Sequence, residues 1–539
     1  MTDRTRPFAY LVPVIGFVSL FGILPAAVLF ADGVGALGGP SSITSVLGNS
    51  LNRAALRNSL EQGAASAIGA FVVGYPVGVF LGRHGWRGRS WMEGILLVPF
   101  LLPSLVVVLA VQEVFGPGGF LAPHGGALAA LGHGLGGILV VNVVFNVPIV
   151  ALLTAVGVES GSASLEESAL TLGASPARVY QEVWGPPSLI GAFAGCVLTF
   201  IFSALAFAAP ILLCGPRCYT LEARVYSLAS ILLEPSAASV LALVMVAFLA
   251  VPAVVYLAVV FRLRQRSSPG RHRPIDWGNP MSVALAVTTG VVLGGTIFLL
   301  GSVVARSLLP MSGGAGWAGA WLALASPRVE ATTGISAGGA IVNTLLFATA
   351  AALIALLLGV LAGHSTTRQP RSAPGIQFLL FVPLLLSPVV LAFSLAQFWR
   401  PVFGGESTVW LLIILSQATL ALPFSLQSVQ VALTRLPAGP RESARVLGAS
   451  PFRAYLDADL PAIRGAITAA ALFAFALGLG EFTATYFLAT PTFTTLPVLL
   501  YSLQSLRQVP AASAAAALLL LVSVGLLVGV SAGGRRVEL

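Results

Sequence analysis

The sequence contains no lysine, and all 28 basic residues are arginine. A P-loop needs a lysine to reach the β- and γ-phosphates, and Schiff-base catalysis needs a lysine amine, so neither resides in this chain. Charge of either sign is scarce, at 9% of 539 residues, where a soluble chain carries roughly 25%. With 57% hydrophobic residues, a soluble globular domain is excluded. Cysteine is scarcer still: Cys196, Cys214 and Cys218 make neither a disulfide framework nor a paired CxxC metal site. Cys214 and Cys218 fall at an outer helix end, where packing is the favoured reading and one disulfide stays open. The 5 scattered histidines show no metal-ligand spacing, so no metal site is expected. The apolar runs hold too few acids for a convergent catalytic set, so no catalytic residue is assigned and an intramembrane enzyme is set aside. The net charge of +9 is read as Arg-rich inner loops, not nucleic-acid binding.

What the chain has in abundance is apolar runs of about 20 residues, each long enough to cross a bilayer as a helix. Twelve are expected, at about 8–30, 63–82, 94–115, 136–157, 188–213 and 238–261, then 282–305, 341–362, 376–399, 408–430, 466–489 and 511–530. The fold class is therefore an all-α polytopic membrane protein. Placing the N-terminus inside puts 20 arginines on the inner face and 8 outside. The inner set includes Arg83, Arg87, Arg89, Arg178, Arg262, Arg264, Arg266, Arg271, Arg273, Arg368, Arg371, Arg453, Arg535 and Arg536. Both termini are expected in the cytoplasm.

The chain repeats itself. Residues Glu167 to Tyr180 (ESALTLGASPARVY) return as Glu442 to Tyr455 (ESARVLGASPFRAY), identical at ten of fourteen positions at an offset of 275. The same offset pairs Pro148 with Pro423 and Pro186 with Pro461, while Asn58-Ser59-Leu60 matches Asn343-Thr344-Leu345 at 285. The additional residues of the first half fit the glycine-rich loop from Gly116 to Gly137. Six spans on each side give two parallel six-helix repeats. The expected halves are 1–262 and 281–539, joined by a polar cytoplasmic linker at 263–280.

Each copy of the repeated segment lies between the fourth and fifth spans of its half, within 159–187 and 435–463. Local chemistry predicts a short helix, a stop and a restart. Gly173 suits the left-handed position after a helix, Ser175 suits a cap, and Pro176 suits the first turn beyond it; Gly448, Ser450 and Pro451 repeat the pattern. Few ionisable groups of mixed sign surround it, so a docking surface is expected and not an active site.

Glu-x-Ala, then Gly six residues after the Glu and Pro nineteen after it, resembles the EAA loop of permeases of binding-protein-dependent type I ABC importers. The matching residues are Glu167, Ala169, Gly173, Val183 and Pro186 in one copy and Glu442, Ala444, Gly448, Leu460 and Pro461 in the other. Ser168 and Ser443 replace the family's middle Ala, and Ala458 stands where it favours Ile. The resemblance implies coupling helices that seat in two copies of a cytoplasmic ATPase, with ATP and Mg bound by that partner and no cofactor in this chain. It implies an extracytoplasmic solute-binding protein, surrounding membrane lipid, and a multi-pass place in a prokaryotic cell membrane. Stretches such as Phe145-Asn146-Val147-Pro148, Gly480-Glu481-Phe482 and Phe493 to Pro497 are similar to thiamine permeases first and ferric-iron permeases second.

Glu481 is the one acid well inside an expected span, and marks either a translocation path or a structural acid bonded to a neighbouring helix or loop backbone. Ala206 holds its place in the first half. Asn142 and Gln417 correspond at the 275 offset and are candidates for the same path or for bonding between helices. Glu61 and Glu113 lie near span ends and read as interfacial. The loop from Gly82 to Arg89 resembles the basic loop of twelve-helix major-facilitator carriers, the alternative reading, but lacks that motif's Asp, and such a carrier has no use for a duplicated elbow.

Overall fold

The computed structural model describes residues 10–36, 38, 42–121, 126–161, 163–264, 272–310, 316–368, 386–403, 408–437 and 439–535. Linker residues 265–271 with Arg266 and Arg271, the start of the ninth span, Arg371 and Arg536 lie outside them. The described chain is helical, with one isolated bridge between His84 and Arg273.

Apart from short turns, the first half holds α1 (Val12–Ala36), α2 (Ser50–Arg83), α3 (Arg89–Leu101), α4 (Ser104–Phe115) and α5 (Gly134–Glu159). There follow α6 (Ala163–Thr171), α7 (Pro176–Val179), α8 (Tyr180–Ala204), α9 (Ala208–Leu213), α10 (Leu221–Tyr226) and α11 (Pro235–Arg264). The second half opens with α12 (Pro280–Leu308), α13 (Ala337–Arg368), α14 (Pro388–Phe403), α15 (Val409–Thr434) and α16 (Gly439–Val446). It closes with α17 (Pro451–Ala454), α18 (Arg464–Gly480), α19 (Thr483–Leu488), α20 (Leu496–Ser505) and α21 (Val509–Arg535).

Nine of the described helices are long and apolar enough to span a membrane, or eleven if each bent pair is one span. Where the structure departs from the expected spans, backbone chemistry explains it. The third span is α3 and α4, bent by 98° at Leu102-Pro103, because proline brings no N–H and disfavours helix in the residue before it. The eleventh helix stops at Gly480, so Glu481 stands at a helix break before α19 and not within a continuous helix. The fifth likewise stops at Ala204, with α9 a separate short helix.

Two compact units form, residues 36–100 with 104–320, and residues 1–35 with 101–103 and 321–539. They differ from the sequence halves by one helix each. In the unit of later residues, Val14 and Val18 of α1 pack with Leu358 and Ala362 of α13 and Leu422 and Leu426 of α15. In the other, Val292 and Leu293 of α12 pack against a core of Val77, Leu96, Val147 and Ala151. Within that unit α2 meets α5 along Gly74, Gly78 and Gly82. A Cβ on Gly78 would stand 2.4 Å from the Ala151 carbonyl oxygen, and one on Gly82 2.7 Å from that of Ala155. Small residues four apart let backbones approach this closely.

The upstream repeat also has a structural meaning. Asn58 donates to the Arg217 and Tyr219 carbonyls at 2.9 and 3.1 Å, and the Leu221 N–H donates to Ser59 at 2.9 Å. Asn343 donates to the Thr492 and Thr494 carbonyls at 3.1 and 3.0 Å, and the Leu496 N–H donates to Thr344 at 2.7 Å. Each half thus ties the loop before α10 or α20 to its long second helix. In the first half, Cys214 and Cys218 are joined in a disulfide, against the expectation of packing. A tight turn at Gly215–Cys218, opened by Gly215 at φ +72°, brings their Cα atoms to 5.7 Å.

Candidate functional site

The repeated segment forms the same elbow twice. In the first copy α6 ends at Gly173, whose φ of +83° only a residue without a Cβ adopts freely. The Gly173 N–H donates to the Leu170 carbonyl at 3.0 Å, and the Ala174 N–H to that of Ala169 at 2.9 Å. The second copy repeats both bonds: Gly448, at φ +92°, donates to Arg445 at 3.0 Å, and Ala449 to Ala444 at 3.0 Å. This paired closure of the last helical carbonyls is a Schellman motif. The next helix is capped in both copies, the Arg178 N–H reaching Ser175 Oγ at 3.4 Å and the Arg453 N–H reaching Ser450 Oγ at 3.3 Å. Pro176 and Pro451 open α7 and α17, where a missing N–H costs nothing. Pro186 and Pro461 take the same kind of place at the next restart, in the first turns of Gly185–Ala204 and Leu460–Ala462.

Glu167 and Glu442 are exposed on α6 and α16, and Ala169 and Ala444 are half-buried beneath them. At the elbow tips stand Leu172, 87% exposed, and Leu447, 88% exposed. Two residues that hold the elbows escaped the sequence reading although the repeat contains them. The Tyr180 hydroxyl lies 2.7 Å from that of Tyr75 on α2, which is 3.0 Å from Ser188 Oγ. The buried Tyr455 donates its hydroxyl to the Val360 carbonyl of α13 at 3.1 Å. The signal was an identical tyrosine in both copies, and each anchors its elbow to the long second helix of its half.

The candidates for a translocation path are held by bonds between or within helices. Both carboxylate oxygens of Glu481 are engaged: Oε1 accepts from the Ala484 N–H at 2.7 Å, and Oε2 from the Thr485 N–H at 2.8 Å and the Thr485 hydroxyl at 2.6 Å. The side chain caps α19. Gln417 of α15 donates to Thr485 Oγ1 at 3.3 Å, so Gln417 and Glu481 are brought together through Thr485. Asn142, in the other unit, donates to Ser66 of α2 at 3.2 Å, and Asn146 donates to the Asn142 carbonyl at 2.8 Å. Removing a cap costs about 0.5–2 kcal/mol. Glu481→Ala is accordingly expected to lower the melting temperature of the purified chain, and Glu481→Gln, which keeps an acceptor, to lower it less. Among the described residues no group of three or more His, Cys, Asp or Glu is placed to hold a metal ion.

Comparison with known proteins agrees with this duplicated architecture. The family described as binding-protein-dependent transport system inner membrane component matches residues 74–268 and again residues 355–533. A thiamine transport system permease protein of Haemophilus influenzae is 25% identical over 534 residues, covering 97% of this chain and 95% of the relative. One from Brucella suis biovar 1 is 25% identical over 467 residues, 82% of this chain and 81% of its own. A molybdenum transport system permease protein of Haemophilus influenzae is 30% identical over 159 residues, 29% of this chain and 69% of the relative. The family sets aside the major-facilitator alternative, makes the chain a multi-pass membrane transport subunit and not an enzyme, and implies an ATPase and a solute-binding protein as partners. With the domain present twice in one polypeptide, this chain belongs to the binding-protein-dependent permease family as a fused two-domain ABC importer permease.

Proposed function

We propose that the chain carries thiamine from an extracytoplasmic binding protein to the cytoplasm, driven by two copies of a separate ATPase that dock on its two elbows. The observation that carries the coupling role is the duplicated elbow with Leu172 and Leu447 exposed at its tips. An exposed apolar tip held in a fixed backbone shape is suited to a partner's cleft. The arginine bias supports both elbows and both termini lying in the cytoplasm, and the resemblance to binding-protein-dependent permeases supports a prokaryotic cell membrane with lipid around the spans. ATP and Mg act on the ATPase; this chain supplies no cofactor site. Closure of the ATPase dimer moves the two elbows together, and the membrane helices follow, exchanging inward for outward access. Glu167, Ala169, Gly173 and Pro186, with Glu442, Ala444, Gly448 and Pro461, form and orient the coupling segments. Glu481, Gln417 and Asn142 remain the candidates for the path, with Glu481 acting through the helix it caps.

Thiamine is proposed from the near-full-length likeness to thiamine transport system permeases. The test is uptake of labelled thiamine by cells that have the ATPase and binding protein, with and without this chain. Uptake lost without the chain and restored by it is the expected result. Thiamine uptake unaffected by its removal rejects the cargo, and labelled ferric iron is then measured in the same cells.

A further inference from the structure

The first coupling segment is braced by a residue from outside it. Glu166 of α6, whose side chain is only 13% exposed, accepts from Arg83 Nη2 at 2.8 Å and lies 3.2 Å from Arg273 Nη1. Arg83, the last residue of α2, also places its guanidinium over the Trp184 ring at 4.5 Å. That one cation therefore joins α6 to the first turn and a half of α8. Arg273 belongs to the segment between the two halves, and its backbone is fixed independently of its side chain. Its N–H donates to the Arg83 carbonyl at 3.0 Å, and its own carbonyl accepts from the Gly85 N–H at 2.9 Å. Beside it His272 touches Arg89 and lies 3.8 Å from Glu159 at the end of α5, where Arg89 also binds Glu159 at 2.5 Å and Glu93 at 2.7 Å.

The second copy is braced by different chemistry at the same two positions. At the 275 offset Glu166 becomes Arg441 and Trp184 becomes Asp459. Arg441 Nη1 lies 3.6 Å from Asp459 Oδ2, so this elbow closes on itself. The first elbow has an acid and an indole there, which attract each other only through an intervening cation.

We propose that Arg273 is a positioning residue for the first coupling segment: the connection between the halves supplies an ionic brace to α6, while the corresponding ion pair of the second segment, Arg441 with Asp459, lies within that segment. The proposal rests on the coupling reading above. Arg273 is 38% exposed, so its ion pair is of modest strength, and Arg83 keeps its own bond to Glu166 when Arg273 is truncated.

The experiment is amide hydrogen exchange by mass spectrometry on the purified full chain, alongside uptake in cells. Arg273→Ala is expected to raise exchange in residues 165–171 about fivefold, the measure of a partly exposed ion pair, and to leave 441–446 unchanged. Arg273→Lys, which keeps the charge, should restore most of the protection. The double variant Arg273→Ala, Glu166→Gln should exchange no faster than Glu166→Gln alone, because Arg273 acts through that carboxylate. Unchanged exchange at 165–171 overturns the brace, and so does an equal rise in both segments, which is global loosening. A rise confined to the first segment with normal uptake leaves the brace standing and counts against the coupling reading instead.

Discussion

Gly448→Pro is expected to abolish uptake while the chain still inserts in the membrane at normal levels. Gly448 sits at φ +92° and donates its N–H to the Arg445 carbonyl. Proline fixes φ near −65° and has no N–H, so the variant loses both the left-handed turn and the bond that closes α16. A proline in an incompatible backbone costs about 3 kcal/mol or more, roughly a hundredfold in the population of the native elbow. Leu447 and the following α17 are then no longer presented together. Insertion is spared for two reasons: Gly448 lies between spans, and nothing stands within 4 Å of the place a Cβ would occupy. Gly448→Ala separates backbone from bulk, since it keeps the N–H and bears only the left-handed strain of about 1–2 kcal/mol; partial uptake is its expected result. Gly173→Pro should match Gly448→Pro, both elbows being needed to move together. The measurement is uptake normalised to chain in the membrane fraction, and normal uptake by Gly448→Pro removes the coupling assignment.

The elbows were legible in the sequence because each of their devices is local. A glycine at a helix end, a serine two residues on and a proline after it specify the turn without help from the rest of the chain, and the structure places Gly173, Ser175 and Pro176 as those preferences require. The repeat was legible for the same reason. What escaped depends on partners distant in the chain. Glu481 reads as buried in a span because hydropathy does not register a helix break, and the acid's bonds to the first-turn N–H groups of α19 belong to that break. Arg273 reads as one more positive charge on an inner loop, yet its backbone pairs with residues almost two hundred positions earlier. The regrouping of α1 and α12 was likewise invisible, since an apolar stripe shows that a helix has a partner and not which one. Tyr180 and Tyr455 are the instructive middle case: identity in both copies pointed to them, but only the contact with Tyr75 or Val360 says why.

Gly78→Leu is expected to remove the folded chain almost completely, with uptake lost because the protein is lost. The obstacle at Gly78 is backbone: a Cβ there would be 2.4 Å from the Ala151 carbonyl oxygen and 2.5 Å from Thr154 Cβ, both on α5. Neither has a flexible end that can swing aside, so α2 must move away from α5, and the close approaches at Gly74 and Gly82 open with it. Overpacking a well-packed core costs roughly 1–3 kcal/mol even where side chains absorb it, and here rigid helices must separate. The repeat supplies its own comparison. Gly363 is the equivalent residue of α13 at the 285 offset, and a Cβ there would meet Val429 Cγ1 at 2.8 Å and Leu433 Cδ1 at 3.4 Å, side-chain methyls that can shift. Gly363→Ala is therefore expected to lower the melting temperature less than Gly78→Ala does. Gly301→Leu on α12, with nothing within 4 Å, should leave both amount and melting unchanged. Quantitative immunoblotting of membranes and thermal melting of the detergent-purified chain decide it. Normal amounts of a Gly78→Leu chain with normal melting would mean that α2 and α5 do not pack through these glycines, and that the Tyr75 contact with the first elbow is not held in place by them.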